Sequence, residues 1–316
     1  MNENTKRLTD PIVLEKIRAI EASPEHHQKL EQIKSDMSGN ARKNNLGWLT
    51  MVIGAIILYG MVDRSLALFL IIFVGGLVWP RLKTFKTANE LSYVDHFLLP
   101  VLQEALPDVK IDYYSGIELS LLKLATPSSR WYDSNCHIIF GDDMQTEFCN
   151  LYAYHEEKED DNWHRVTDFN GQVLLAKYYT AIKGYIRIVP TQKGFLGREK
   201  VHSGYKAKLK GEVQLEMEDI RFNETYNVYC TDELSARMLL NPYMLAVLDE
   251  WREEMPVAVY MNGDTVVVSF YSGQQLLKTP SSRGAIEKVA LSSEYENIQD
   301  KLVKMYRLLD TLNHQL

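Results

Sequence analysis

The densest run of chemistry-bearing side chains is YHEEKEDDNWHRVTD, Tyr154 to Asp168, with two histidines and six carboxylates. His155, His164 and Asp168, with Glu156, Asp160 and Asp161 beside them, are donors of the kind that hold zinc and other first-row metals. Their spacing does not match the helical H-E-x-x-H pattern. The competing reading, and the favoured one, is a solvated loop joining two strands with its charges facing water. FGDDM, Phe140 to Met144, is a second cluster, with Cys136 and His137 just before it. If buried together, Asp142 and Asp143 could serve as acid and base. As adjacent turn residues they are simply turn formers. Cys136 beside His137 is not a nucleophile signature, because thiol and base must meet in space rather than in sequence. The chain contains no G-x-x-x-x-G-K-[ST], no G-x-G-x-x-G and no G-x-S-x-G. The expectation is a protein without assigned catalytic residues, metal or cofactor, read as non-enzymatic rather than as an enzyme.

A third cluster is basic. KGFLGREKVHSGYKAKLK, Lys193 to Lys210, holds six Lys or Arg residues and one Glu in a chain of net charge -7. A basic loop with an apolar tip suits an anionic lipid surface. The candidate contacts are Lys193, Phe195, Leu196, Arg198, Lys200, Lys206, Lys208 and Lys210. The alternative is a solvated β-hairpin tip whose lysines protect a strand edge.

What would place such a loop near lipid is the pair of apolar runs Leu46 to Val62 and Leu66 to Trp79, separated by Asp63, Arg64 and Ser65. As helices the runs are about 21 to 26 Å long, short against a hydrocarbon core of about 30 Å. One continuous helix would carry Asp63 and Arg64 at its middle, at about 2.5–3.5 kcal/mol each. A two-helix transmembrane hairpin over 46–79 puts them in the far headgroup layer instead. Arg42 and Lys43 precede the runs, and Arg81, Lys83 and Lys86 follow, which places both flanks and both termini in the cytoplasm. Trp48 and Trp79 then share the cytoplasmic interface.

The acidic balance argues against a nucleic-acid partner. Cys136, Cys149 and Cys230 cannot all pair, which suits structural thiols in a reducing compartment. Before the runs, Asp10-Pro11 and Ser23-Pro24 read as the starts of two short helices. After them, Ala88 to Ala105 reads as a helix with Pro100 as a possible kink. Strand grammar follows at Lys110–Tyr114, His137–Phe140, Cys149–His155, Gln172–Tyr179, Tyr185–Val189, Glu212–Met217 and Asn227–Cys230. In VAVYM-NG-DTVVVSF, Asn262-Gly263 suits a type I′ turn. Asp232–Leu240, with Thr231 as its cap, and Pro242–Glu253, capped by Asn241, read as helices. Ser293 and Glu296 form a capping box for a C-terminal helix carrying Tyr295, Ile298, Leu302, Met305, Leu309 and Leu312. That stripe could self-associate or pack on its own domain.

FNGQV (Phe169–Val173), YIRIVP (Tyr185–Pro190) and FNETYNVYCTDELSARMLLNP (Phe222–Pro242) together resemble the bacterial family defined by domain of unknown function 3137. Tyr226 and Ser235 depart from the expected Phe and acidic residue. The resemblance covers about 85–275. It implies a membrane-anchored bacterial protein, at the inner membrane, with motif residues that are architectural and no catalytic residues to carry over.

The expected architecture is therefore α+β. N-terminal cytoplasmic helices (1–45) precede the transmembrane hairpin (46–79). An antiparallel β-rich cytoplasmic domain with interspersed helices (85–275) and a C-terminal helical segment (276–316) follow. The expected role is an interaction or scaffold module with membrane lipid, and a protein partner or second copy, as partners. The alternatives are an anionic-lipid or envelope-stress module using 193–210, and an enzyme acting near the membrane.

Overall fold

The computed structural model describes residues 3–61, 64–159, 161–177, 182–193, 199–201 and 204–314. Its helices are α1 (Glu3–Thr9), α2 (Pro11–Ala22), α3 (Pro24–Met61), α4 (Arg64–Tyr93), α5 (Leu99–Ala105), α6 (Leu119–Ala125), α7 (Ile220–Thr225), α8 (Glu233–Leu239), α9 (Pro242–Glu254), α10 (Arg283–Glu287) and α11 (Leu291–His314). Its strands are β1 (Lys110–Asp112), β2 (Trp131–Ile139), β3 (Glu147–Glu159), β4 (Asn162–Lys177), β5 (Tyr185–Lys193), β6 (Glu199–Val201), β7 (Val213–Leu215), β8 (Tyr226–Cys230), β9 (Val257–Asn262) and β10 (Thr265–Phe270). The chain divides into two compact units: Met1–Thr9 with Leu106–Leu277 and Asp300–Leu316, and Asp10–Ala105 with Lys278–Gln299.

The first unit is an antiparallel sheet of order β1-β2-β3-β4-β10-β9-β5-β8-β7, with β6 paired to β5. Successive side chains on a strand point to opposite faces. On one face Leu151, Val173, Leu175 and Val267 pack with Leu122 and Ala125 of α6. On the other, Phe270 meets Trp251 of α9 at 4.7 Å between ring centroids. Both faces of the central strands are covered, so VLLA of β4 and VVV of β10 are apolar without alternation. Cys136, Cys149 and Cys230 are buried and unpaired. Burial, helped by their mutual proximity or by Glu147, pushes Cys136 and Cys149 up to about 12, which suits structural thiols.

The FNGQV motif ties β4 to the chain after β10. Phe169 is wholly buried and meets Tyr271 edge-on at 5.4 Å. Asn170 donates to the Gly273 carbonyl at 2.7 Å, and Gln172 to the Gln274 carbonyl at 2.6 Å. At Gly171 a Cβ would lie 1.9 Å from the Phe270 carbonyl oxygen. The neighbour is backbone, so relief requires β10 to move. Gly171→Ala is therefore expected to destabilise the protein by about 1–3 kcal/mol, the usual range for overpacking. Urea titration of both proteins measures this, and an unchanged midpoint would contradict the steric assignment.

Several local expectations change. The stretch 154–168, expected as a loop, instead belongs largely to two strands, β3 and β4 pairing as far as Glu159 opposite Asn162. β-Ladder hydrogen bonds hold this polar ribbon beyond the apolar sheet. The β9–β10 hairpin forms, but its turn is not type I′: neither Asn262 nor Gly263 has positive φ. Asn262 Oδ1 accepts from the Asp264 and Thr265 amides, an Asx turn that does the same closure. Asp232, not Thr231, caps α8 by accepting from Ser235 N. Asn241 caps α9 as its position suggests.

In the second unit, α3 runs unbroken through both the N-terminal arm and the first apolar run. Asp10 caps α2 by accepting from Ile12 N. A π-helical turn over Val94–Leu98, with Leu99 N donating to Val94 O, sits just before Pro100. Pro100 has no N–H and its ring crowds the carbonyl four residues back, and the widened turn absorbs both. α11 starts at Leu291, earlier than the Ser293–Glu296 box implies. The Glu21 carboxylate accepts from Leu291 N at 3.0 Å and Ser292 Oγ at 2.7 Å. Glu296 instead pairs with Arg18. A carboxylate from α2 thus does the capping, supported by the helix dipole. The stripe Tyr295, Ile298, Leu302, Met305 and Leu309 is buried within the chain.

α3 and α4 touch along their length. Asn40 donates to Asn89 Oδ1 at 3.1 Å, Lys43 Nζ lies 5.8 Å from the Phe85 ring, and Trp48 meets Trp79 edge-on at 6.1 Å. Met51 lies against Gly75. Partners on α4 fall in number as those on α3 rise, so the helices are antiparallel. Among the described residues one helix, Ser65–Ala105, is long and apolar enough to cross a membrane, and only 12% of its most apolar window is buried. The second expected span, Leu46 to Val62, does not meet that measure, and Val62 and Asp63 lie outside the described residues.

Candidate functional site

The largest chemical anomaly of the second unit is the surface of α3 and α4. On α3, Leu49, Ile53, Ile56, Ile57 and Tyr59 are exposed, and on α4 Leu66, Phe69, Ile72 and Phe73 are exposed, Ile72 by 73%. Apolar surface on this scale marks contact with lipid or protein. Trp48 and Trp79 stand together at the polar end of the pair, both about half exposed. Indole rings at such a boundary match the aromatic belts of membrane helices.

In the first unit the ribbon of β3 and β4 gathers the acidic His cluster. β2 ends its pairing at Trp131 opposite Tyr154, leaving the ribbon two-stranded from His155 onward. A bulge between Ala153 and Tyr154 makes Asp168 an extra residue on β4, and bulges re-aim side chains. Asp168 reaches His155 Nδ1 at 2.8 Å and accepts from Ser129 Oγ at 2.6 Å. Glu157 lies 3.0 Å from His155 Nε2. His164, across the ribbon, is 3.9 Å from Glu157, an ion-pair rather than hydrogen-bond distance. Both nitrogens of His155 are thus engaged by carboxylates. Among the described residues no group of three or more His, Cys, Asp or Glu side chains is placed to hold a metal ion. Asp160 lies outside the described residues.

The hydrogen bond His155 donates to Glu157, and next that to Asp168, raise its pKa above the ordinary 6.5. A raised folded-state pKa means the stabilisation is fully present below about pH 6.5 and fades as pH climbs through the folded value. The stability gap between the native protein and His155→Gln is expected to be widest below that pH and to close above it. Thermal melts across the pH range read this directly, and a gap independent of pH would discard the ion-pair reading.

Asp142 and Asp143 do not form a pair. Asp142 accepts from Thr146 N at 2.7 Å, Tyr306 Oη at 3.0 Å and Asn4 Nδ2 at 3.2 Å, joining α1, the turn and α11, while Asp143 is exposed. Burial, then the Asp142 charge, holds the Tyr306 phenol well above 10.

Two constellations escape sequence reasoning. Arg187 of YIRIVP makes a bidentate pair with Glu212, Nε to Oε1 at 2.7 Å and Nη2 to Oε2 at 2.8 Å. It also donates to the Lys206 and Ala207 carbonyls, and Glu212 accepts from Leu209 N at 2.7 Å. Burial pushes the Glu212 carboxyl up, but the Arg187 and Leu209 bonds and the Arg187 charge outweigh it, and its pKa is lowered. This pair fastens 206–212 to β5. Lys206, Lys208 and Lys210 on that segment are exposed. Lys193 and Lys200 sit on paired strands β5 and β6, while Phe195, Leu196 and Arg198 lie outside the described residues. The only hint in the sequence was an arginine flanked by apolar strand residues.

The second is Ser115, His137 and Glu147. Ser115 Oγ lies 3.3 Å from His137 Nδ1, and Glu147 Oε2 lies 2.7 Å from His137 Nε2. His137 follows Cys136, which has φ of 54° in the β2–β3 bulge. The order is that of nucleophile, base and orienting carboxylate. No motif could reveal it, because β-sheet register brings the three together.

Fold and surface define an α+β chain with a β-rich unit and a helical unit, the latter holding a helix able to cross a membrane. Residues 167–314 match the family described as Protein of unknown function (DUF3137), the family that the three motifs resemble. No curated protein matches the sequence. The crystal structure of the mycobacterial trehalose monomycolate transport factor A, TtfA, is similar at 8% identity, over 64% of this chain and 90% of that chain, with a TM-score of 0.34. At that score the likeness bears on neither fold nor function.

Proposed function

We propose that this protein is anchored in the cytoplasmic membrane by α3 and α4 as a two-span hairpin, with both termini cytoplasmic, and serves there as a non-enzymatic interaction or scaffold module. The exposed apolar surface of two antiparallel helices carries this reading: in water it is unfavourable at about 25 cal/mol per Å², and in lipid that cost vanishes. Arg42, Lys43, Arg81, Lys83 and Lys86 lie beyond the apolar runs on one side, which supports the orientation. The β-rich unit then works at the inner lipid surface. Carbonate extraction of native membranes is expected to leave the protein in the pellet, and release into the supernatant would reject anchoring. Crosslinking in the same membranes is expected to trap a reproducible partner, while recovery of monomer alone would reject the scaffold role.

A second reading rests on Ser115, His137 and Glu147, which have the makings of an acyl-transfer site near the membrane. A fluorophosphonate probe would label Ser115, and Ser115→Ala would abolish labelling. No labelling of the native protein would dismiss this reading.

A further inference from the structure

Where the apolar part of α3 begins, α3 and α10 enclose a groove of about 740 Å³. Glu31, Lys34, Ser38, Arg42, Leu46 and Leu49 line it from α3, and Arg283 and Glu287 line it from α10. On α3 these positions recur every three or four residues, so they share one face of the helix. That face changes character along its length. Its first half presents two cations, the Glu31 carboxylate and a hydroxyl, and its second half presents leucines exposed by 61% and 55%.

The polar half is unevenly satisfied. Lys34 pairs with Glu31 at 2.8 Å and Arg283 with Glu287 at 2.7 Å. Among the described residues Arg42 has no ion pair or hydrogen bond. Ser38 Oγ is buried and has no hydrogen-bond partner among the described residues. With Lys34 and Arg283 held by their carboxylates, the exposed Arg42 guanidinium is the group that suits an anionic oxygen acceptor. Guanidinium groups match phosphate geometry particularly well.

We propose that this groove binds the phosphate headgroup of an anionic phospholipid, with the acyl chains lying along Leu46 and Leu49. The inference rests on the anchoring reading above, because it needs the leucines in lipid. Arg42 precedes Leu46 by one helical turn, about 6 Å, which sets the phosphate at headgroup depth when Leu46 enters the hydrocarbon. The site differs from the basic segment 193–210, which belongs to the other unit.

The test uses the full chain in neutral detergent, titrated with phosphatidylglycerol or phosphatidylcholine, with bound lipid read by native mass spectrometry. Phosphatidylglycerol is expected to bind more tightly. Each cation near an anionic group contributes about fivefold in affinity, so Arg42→Gln with Arg283→Gln should weaken it about 25-fold. Phosphatidylcholine binding should barely change. Both arginines are on the surface, and the comparison of two lipids on the native protein needs no variant. Equal binding of the two lipids, or phosphatidylglycerol binding indifferent to the double substitution, would overturn the proposal. Free glycerol 3-phosphate is expected to compete poorly, since it lacks the chains. Displacement as effective as by the lipid itself would reassign the groove to a soluble phosphate ester and overturn the lipid claim. Carbonate extraction separates the failures: a retained protein without lipid preference sinks only the groove, and a released protein sinks both.

Discussion

Glu212→Ala is expected to cost about 3–5 kcal/mol of folding stability, the range for breaking a buried ion pair from one side. Arg187 and Glu212 are 8% and 0% exposed at their side chains. Removing the carboxylate strands a guanidinium that cannot lose its proton and cannot reach water. It also orphans Leu209 N, which donates to Glu212 Oε2. Glu212→Gln should cost less, because the amide oxygen can still accept one of these bonds. Replacing both residues with apolar side chains often approaches neutrality in buried pairs. Here it should not, since the Lys206 and Ala207 carbonyls would lose Arg187 as their donor. Acid should mimic the carboxylate's removal. The lowered Glu212 pKa contributes stability above the ordinary carboxylate value, and this is lost as pH falls through the folded value. Chemical denaturation of the three variants measures the series. A Glu212→Ala loss below about 1 kcal/mol, the worth of an exposed pair, would show that the pair is hydrated.

The second large effect is on anchoring. Ile72→Arg is expected to move much of the protein out of the membrane pellet. Ile72 is 73% exposed near the middle of the apolar part of α4. The ten Leu, Ile, Val or Phe residues from Leu66 to Trp79 favour insertion by about 3–6 kcal/mol together, and one central arginine opposes it by about 2.5–3.5. Losing the isoleucine as well leaves the second span near balance. Thr84→Arg makes the same chemical change beyond the apolar run, on a side where Arg81, Lys83 and Lys86 already stand. It should leave membrane retention intact. Equal retention of both variants would mean that Ile72 faces protein or water rather than lipid.

These predictions differ in how much of them could be read from the chain alone. The membrane prediction needs little beyond hydropathy and charge, properties that each residue carries with it. Apolar runs, Pro-initiated helices and the Asn241 cap were legible for the same reason: their causes lie within a few residues. The motif FNGQV was legible as architectural, but not why. Only the β4–β10 register shows that Gly171 faces the Phe270 carbonyl.

Elsewhere other partners, near or far in the chain, outweighed the pattern that spacing suggests. Ser293 and Glu296 make a capping box by spacing, yet Glu21, 270 residues before Leu291, caps α11. Asn262-Gly263 suits a type I′ turn, yet the Asn262 side chain closes an Asx turn. The ribbon of β3 and β4 reads as loop because its composition is polar. Backbone ladder bonds are indifferent to side-chain polarity, so they carry the strands past the core.

By itself, then, the sequence determined an α+β chain with a membrane-competent apolar segment, buried thiols and an architectural motif set. Those properties follow from local periodicity and transfer energy. Tertiary structure alone decided which polar side chains meet: His155 with Asp168, Arg187 with Glu212, Ser115 with His137, and Lys34, Arg42 and Arg283 around one groove. Such meetings depend on strand register and helix contact between residues far apart in the chain, and no local pattern records them.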